Sequence, residues 1–291
     1  MLKHILVPVN GVAEDAPAMA TALLVGRAFN AHITALHARP DIRREIAALT
    51  APDMGLGLTA GIDDMAASLE LEADGQEQVS AAAWAAFRDT NGITLADAPG
   101  AHGVSGEWRR EVGDPADLVA EFGRSADLIV AGRAHENGVT GLDILEAALM
   151  DSGRPLLVVP DQAPDRLDGP VVIAWKNTRE AAKAVAAAQP FIARASGVVV
   201  LTVRESGETD ADPSATRLVR ALRWHNANVS LRGLPRSGSA PVETLLAATR
   251  EAGATLLVMG GYGHTRLREA VFGGFTRAVL ETAPLPVLMA H

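Results

Sequence analysis

Residues 255 to 276 read TLLVMGGYGHTRLREAVFGGFT. Thr255 to Met259 is a short apolar run that predicts a buried strand, and the pair Gly260-Gly261 ends it abruptly. Gly263 follows, and after nine intervening residues comes a second pair, Gly273-Gly274, then Phe275 and Thr276. The spacing is therefore G-x-x-G, nine residues, G-G-x-T. A residue without Cβ lets backbone N–H groups approach an anion closely, and a helix beginning there adds its positive end. Leu267 to Leu280 is compatible with that helix, and Pro284 to Met289 supplies another short strand. A phosphate cradle between two strands is one reading; the competing one is a purely structural glycine turn.

Upstream, the chain alternates strands and helices. Ile5 to Val9 predicts a buried strand, and Asn10-Gly11 turns the chain into a helix from Glu14 to Asn30, whose apolar residues Ala16, Met19, Ala20, Leu23, Leu24 and Ala28 recur at three and four. His32 to Ala38 is a second strand, which makes a parallel crossover. Asp64 to Asp89 predicts a long helix buried along Leu69, Ala73, Gln76, Val79, Ala83 and Phe87, with Trp84 beside the stripe. Trp108 to Val112, Asp127 to Ala131 and Pro155 to Val159 complete the strands of this half. Asp114-Pro115 starts a helix to Gly123, and another is expected near Leu142 to Met150.

The segment 161–170, DQAPDRLDGP, is polar and proline-rich, as a linker should be. Then the plan repeats. Val171 to Trp175 corresponds to Ile5 to Val9, Gly197 to Val203 to the second strand, Ala240-Pro241 to Asp114-Pro115, and PVLMAH at 286 to 291 to PLLVVP at 155 to 160. The chain reads as two tandem α/β domains, residues 1–160 and 171–291. At 291 residues it is long for one domain and natural for two of about 145.

The copies differ at the glycine motif. The first reads GRAHENGVTGLDILEAALMDSGRP from Gly132, three residues shorter between its last two strands and without the second spaced glycine or the glycine pair. The first half is therefore expected to be structural or regulatory, and the second to carry whatever nucleotide site exists.

Composition narrows the function. There is no cysteine, which excludes disulfides and thiolate chemistry, and the net charge of −9 argues against nucleic acid or an anionic membrane as a broad partner. The first residues begin a strand rather than a signal peptide, and the longest apolar runs are about eight residues against the ~20 of a membrane helix, so the expected location is cytoplasmic. No GK[ST] P-loop, G-x-S-x-G elbow or helical metal pair occurs among the eight histidines, so no catalytic residue is named.

The motif G-x-x-G, nine residues, then G and a small residue, between the last two strands of an α/β domain, resembles the nucleotide-binding signature of the universal stress protein family. The resemblance covers nearly the whole chain, twice. It implies a Rossmann-like, open five-stranded parallel sheet flanked by helices in each domain, and ATP as ligand at the carboxyl ends of the strands of a subset of members. Carried over, Gly260, Gly263, Gly273 and Gly274 would meet phosphate and ribose through their backbone, Met259 and Phe275 would flank the pocket, and Val203 would line the adenine. His264, Arg266 and Arg268 are candidates to neutralise phosphate, although two arginines two apart cannot both face it from a helix.

Two positions depart from the family pattern. Lys176 stands where ATP-binding members end the first strand in aspartate, with Asn10 there in the first copy, so a charged donor replaces an acceptor; it reaches for phosphate or lies solvated. Gly274 stands where those members carry serine or threonine, which removes a hydroxyl and keeps the N–H.

Residues 39 to 64 fit neither copy's plan. Gly55-x-Gly57-x-x-Ala60 superficially matches a dinucleotide fingerprint but follows Pro52 rather than a strand. A disordered insertion is expected, with a lid or an interaction surface as alternatives. A ligand-free protein–protein interaction module is the second overall reading: open sheets have free edges, and edge pairing between the halves, or between chains in a homo-oligomer, would follow.

Overall fold

The computed structural model describes residues 2–49, 61–96, 103–133, 141–203, 212–234, 241–261 and 274–291. The first half runs β1 (His4–Pro8), α1 (Asp15–Phe29), β2 (His32–Arg39), α2 (Ile42–Leu49), α3 (Ile62–Asn91), β3 (Thr94–Leu95), β4 (Ser105–Val112), α4 (Pro115–Gly123), β5 (Leu128–Gly132), α5 (Leu142–Met150) and β6 (Leu156–Val159). The second runs β7 (Pro170–Ala174), α6 (Arg179–Ala187), α7 (Gln189–Ile192), β8 (Gly197–Val203), α8 (Pro213–Leu222), β9 (Val229–Leu234), α9 (Pro241–Glu251), β10 (Leu256–Gly260), α10 (Gly274–Thr282) and β11 (Val287–Ala290).

The eleven strands among the described residues form one sheet, in the order β3-β4-β2-β1-β5-β6-β11-β10-β7-β8-β9. Within each half every pairing is parallel, and in both the central strand is the first one, with the chain winding out to either side. The seam between the halves is antiparallel: Val287, Leu288 and Met289 pair with Val158, Leu157 and Leu156. Two expected five-stranded sheets have thus become one mixed sheet, because the last strand of each half offers its open edge to the other. The short β3 adds a sixth strand to the first half, beside β4.

The central strands β1, β5, β6, β7, β10 and β11 read as apolar runs because both faces are covered, whereas β4 and β9, toward the sheet's two edges, carry charged residues and are partly exposed. On one face the core gathers Met19, Trp84, Ala184, Phe191 and Val219, from α1, α3, α6, α7 and α8. On the other it gathers Val119, Leu145, Leu245 and Val279, from α4, α5, α9 and α10.

Two expectations need correction. The insertion at 39 to 64 contains a helix, α2, whose Ile42 and Ile46 are buried; residues 50–60, with Gly55, Gly57 and Ala60, lie outside the described residues. In α3 the buried residues are Ala73, Ser80 and Trp84, while Leu69 and Val79 are exposed. The helix is held by charge where a greasy stripe was expected. Arg39, at the end of β2, donates from Nη1 to Asp74 and Glu77 (2.5 and 3.1 Å) and from Nη2 to Glu70 at 2.7 Å, and Arg110 on β4 reaches Glu77 at 2.7 Å.

Candidate functional site

In parallel sheets of this winding, ligands sit beyond the carboxyl ends of the strands, where the crossovers part to opposite faces. In the second half that point lies between β7 and β10. The register sets Met259 of β10 beside Ala174 of β7 and Ala174 beside Leu201 of β8. One step further along, Gly260, Trp175 and Thr202 lie at one level, and Lys176 and Val203 follow at the rim. Adjacent strands are about 4.8 Å apart, so Lys176, Val203 and Gly260 gather at one edge. Gly274 and Phe275 open α10, and Phe275 is exposed at 40%. Met259 is turned the other way, 4% exposed within the core under α9 and α10. Gly263, His264 and Gly273, with Arg266 and Arg268, lie outside the described residues.

The glycines that are described differ in why they are glycine. A Cβ on Gly260 would stand 2.6 Å from the backbone nitrogen of Ala181, in the first turn of α6. Its counterpart Gly132 would meet the backbone of Glu14 at 2.9 Å. Both halves therefore need glycine here so that the helix after the first strand can lie against the strand end. No atom of the described residues stands near the place a Cβ on Gly274 would take, so their packing does not demand glycine there.

Lys176 is exposed, at the head of a tight turn in which the N–H of Thr178 donates to the Lys176 carbonyl at 2.7 Å. Thr178 then caps α6, its hydroxyl accepting from the N–H of Ala181 at 3.2 Å. Beside it, Trp175 is half-buried, and its indole N–H donates to Ser214 Oγ at 3.0 Å; the Ser214 hydroxyl donates to Asp212, the cap of α8, at 2.8 Å. The sequence pattern gave no sign of this chain, since it joins residues from two elements.

The equivalent rim of the first half is closed. The Asp15 carboxylate accepts the N–H groups of Asn10, Gly11 and Val12 at 2.9, 2.7 and 3.1 Å, so the amides after β1 already hold an anion of the chain itself. Burial pushes the Asp15 carboxyl up to about 6, against the pull of those three N–H groups. Above it lies α3: a Cβ on Gly11 would stand 2.9 Å from the carbonyl oxygen of Gln76. His37, at the end of β2, is buried, stacks on Trp108 with ring centroids 6.0 Å apart, and is held below its ordinary pKa chiefly by that burial. Its Nδ1 pairs with the Val9 carbonyl at 3.0 Å while Nε2 has no hydrogen-bond partner among the described residues. Among the described residues, the second half's corresponding crossover carries α8, of 10 residues, against the 30 of α3.

The family model for the universal stress protein family matches residues 1–160 and again residues 169–291. Among solved structures, a universal stress protein from Archaeoglobus fulgidus matches with a TM-score of 0.68 at 16% identity, over 99% of this chain and 97% of its own. One from Pseudomonas aeruginosa, described as a putative universal stress protein, matches with a TM-score of 0.53 at 15% identity, over 99% and 92%. A universal stress protein in complex with cAMP covers 55% of this chain and 98% of its own, at 18% identity and a TM-score of 0.31. Identities this low speak to fold alone. No curated protein is similar enough to this chain to match. Among the described residues no helix is long and apolar enough to cross a membrane.

Proposed function

Because the chain belongs to the universal stress protein family and carries its domain twice, we propose that it is a cytoplasmic stress-response or signalling protein whose second domain binds ATP or a related adenine nucleotide and whose first does not. The observation that carries this reading is the asymmetry of the two rims. The second half keeps the spaced glycines from Gly260 to Gly274, and among the described residues its crossover after β8 carries the 10-residue α8, whereas Asp15 and the 30-residue α3 fill the first rim. In this reading the backbone of Gly260, Gly263, Gly273 and Gly274 receives ribose and phosphate, helped by the dipole of α10. Val203 lies beside the base, and Met259 contributes as the core residue beneath Gly260. Phe275 and His264 flank the phosphates. Lys176, in place of an acceptor, supplies charge for the phosphates of an anionic ligand held by an acidic protein.

Titration calorimetry with ATP tests the reading, with Gly263→Val as control. Binding that the substitution abolishes supports it; no heat, or heat that the substitution leaves unchanged, removes the nucleotide.

A second reading, an interaction module without ligand, is favoured by the outer side of α3, where Leu71 is 74% and Val79 54% exposed. Changing both to serine would then lose a protein partner while ATP affinity stays as it was; a partner retained by that variant counts against the module.

A further inference from the structure

The residue after the strand-ending glycine is Arg133 in the first half and Gly261 in the second, and the two are structural equivalents. Arg133 N–H donates to the Val159 carbonyl at 3.0 Å, and Gly261 N–H to that of Ala290 at 2.9 Å. Both lie beside the antiparallel seam, and each meets the other half's last helix. The space a Cβ would take on Gly261 is filled by Leu149 of α5, 2.6 Å from that position. Arg133 crosses the seam the other way. Its Nη1 donates to the Glu281 carbonyl at 3.0 Å and its Nη2 to that of Ala283 at 2.5 Å, at the carboxyl end of α10. The side chain is 14% exposed; its Nε is buried without a hydrogen-bond acceptor among the described residues and lies 3.7 Å from Asp161 Oδ1, at the start of the linker.

We infer that Arg133 of the first half is a positioning residue for α10, and through α10 for the ligand site of the second half; this rests on the nucleotide reading above. A nine-residue helix is marginal by itself. The last carbonyls of α10 have no partner within the helix, and a guanidinium both satisfies them and complements the negative end of the dipole. The opposite end of the same helix is Gly274, where the phosphates would dock. A short helix moves as one body, so loosening Glu281 and Ala283 lets the Gly274 and Phe275 amides wander from the geometry that an anion requires. Arg133, which follows the strand-ending glycine of the first half, thus grips the helix that follows the spaced glycines of the second.

Hydrogen exchange of the α10 amides, read without nucleotide, tests the grip, and calorimetry with ATP and with adenosine tests its consequence. Arg133→Met keeps the stem of the side chain and removes the donors; Arg133→Lys restores the charge. In Arg133→Met the α10 amides should exchange about tenfold faster, ATP should bind about threefold to tenfold more weakly, and adenosine, which has no phosphate for α10, should bind as to the wild type. Arg133→Lys should recover part of both losses. Unchanged exchange in the Met variant overturns the grip. Equal weakening of ATP and adenosine, or ATP affinity unchanged despite faster exchange, overturns the coupling to the site. If the wild type binds no ATP, the nucleotide reading falls and the exchange rates alone decide whether Arg133 holds α10.

Discussion

The indole N–H of Trp175 donates to Ser214 Oγ at 3.0 Å, and so ties the end of β7 to the first turn of α8. The first half makes the same kind of tie from a different strand: Trp108 of β4 donates to Ser80 Oγ of α3 at 3.2 Å, and Ser80 in turn donates to the Val9 carbonyl at 3.2 Å. Ser80 is 1% exposed and serves two partners. Ser214 is 6% exposed and likewise stands between two partners, so Ser80→Ala and Ser214→Ala should each cost about 1–3 kcal/mol. Urea denaturation measures both, and no cost at either position would contradict the buried tie.

Gly260→Ala forces the new methyl group against the α6 backbone and should cost at least about 1–3 kcal/mol, with Gly132→Ala behaving alike in the other half. Gly274→Ala has room and should be neutral or stabilising by up to about 1 kcal/mol through helix propensity. Gly274→Ser returns the hydroxyl that the family pattern has there. On the nucleotide reading it should tighten ATP on the order of tenfold, the worth of one hydrogen bond to a charged group of ~1.4 kcal/mol. A Gly260→Ala protein that melts with the wild type would refute the packing account of that glycine.

Arg39 binds three carboxylates of α3 through a side chain that is 10% exposed. Arg39→Met leaves Glu70, Asp74 and Glu77 repelling one another, with Arg110 on Glu77 and the exposed Arg43 3.9 Å from Glu70 to answer, and should cost about 1–3 kcal/mol. The helix should loosen from its first turns, where it buries least. Limited proteolysis and amide exchange over residues 62–80 would register this; unchanged protection there would show that the apolar contacts of Trp84 hold α3 by themselves.

Asp15 has its folded pKa raised from 3.8 to about 6, so the native state binds its proton more tightly than the unfolded chain does. The sign follows: the stabilisation is fully present below about pH 3.8 and is lost as pH rises through about 6. Asp15→Asn removes this titration, and its stability relative to wild type should change by up to about 3 kcal/mol between pH 4 and pH 7. Denaturation at pH 4, 5, 6 and 7 on both proteins gives the difference; parallel curves would mean that the three N–H groups offset the burial in full.

Much of the architecture is legible from residue order, because a strand buried on both faces must be apolar throughout and a turn must carry residues that tolerate it. Ile5 to Val9 and Val171 to Trp175 declare themselves as the matching first strands, Asp114 as a cap, and Gly260 to Gly274 as an unusual spacing. The cap is observed: the Asp114 carboxylate accepts the N–H of Asp117 at 3.0 Å. The burial of α3 is misread from the same signals, since Leu69 and Val79 keep the helical period whether or not anything covers them. Nothing near Arg39 in the sequence says that its partners lie 31 to 38 residues away.

The sequence by itself determined that the chain is a duplicated α/β protein with its spaced-glycine motif in one copy only, since period, apolar runs and glycine spacing are local properties. Only the tertiary structure decided that β6 and β11 join the copies into a single sheet, that Asp15 and α3 occupy the first rim, and that Arg133 reaches Glu281 across the seam. Those relations depend on where distant segments meet in space, and a side chain's partner across a sheet leaves no mark on its own neighbours in the chain.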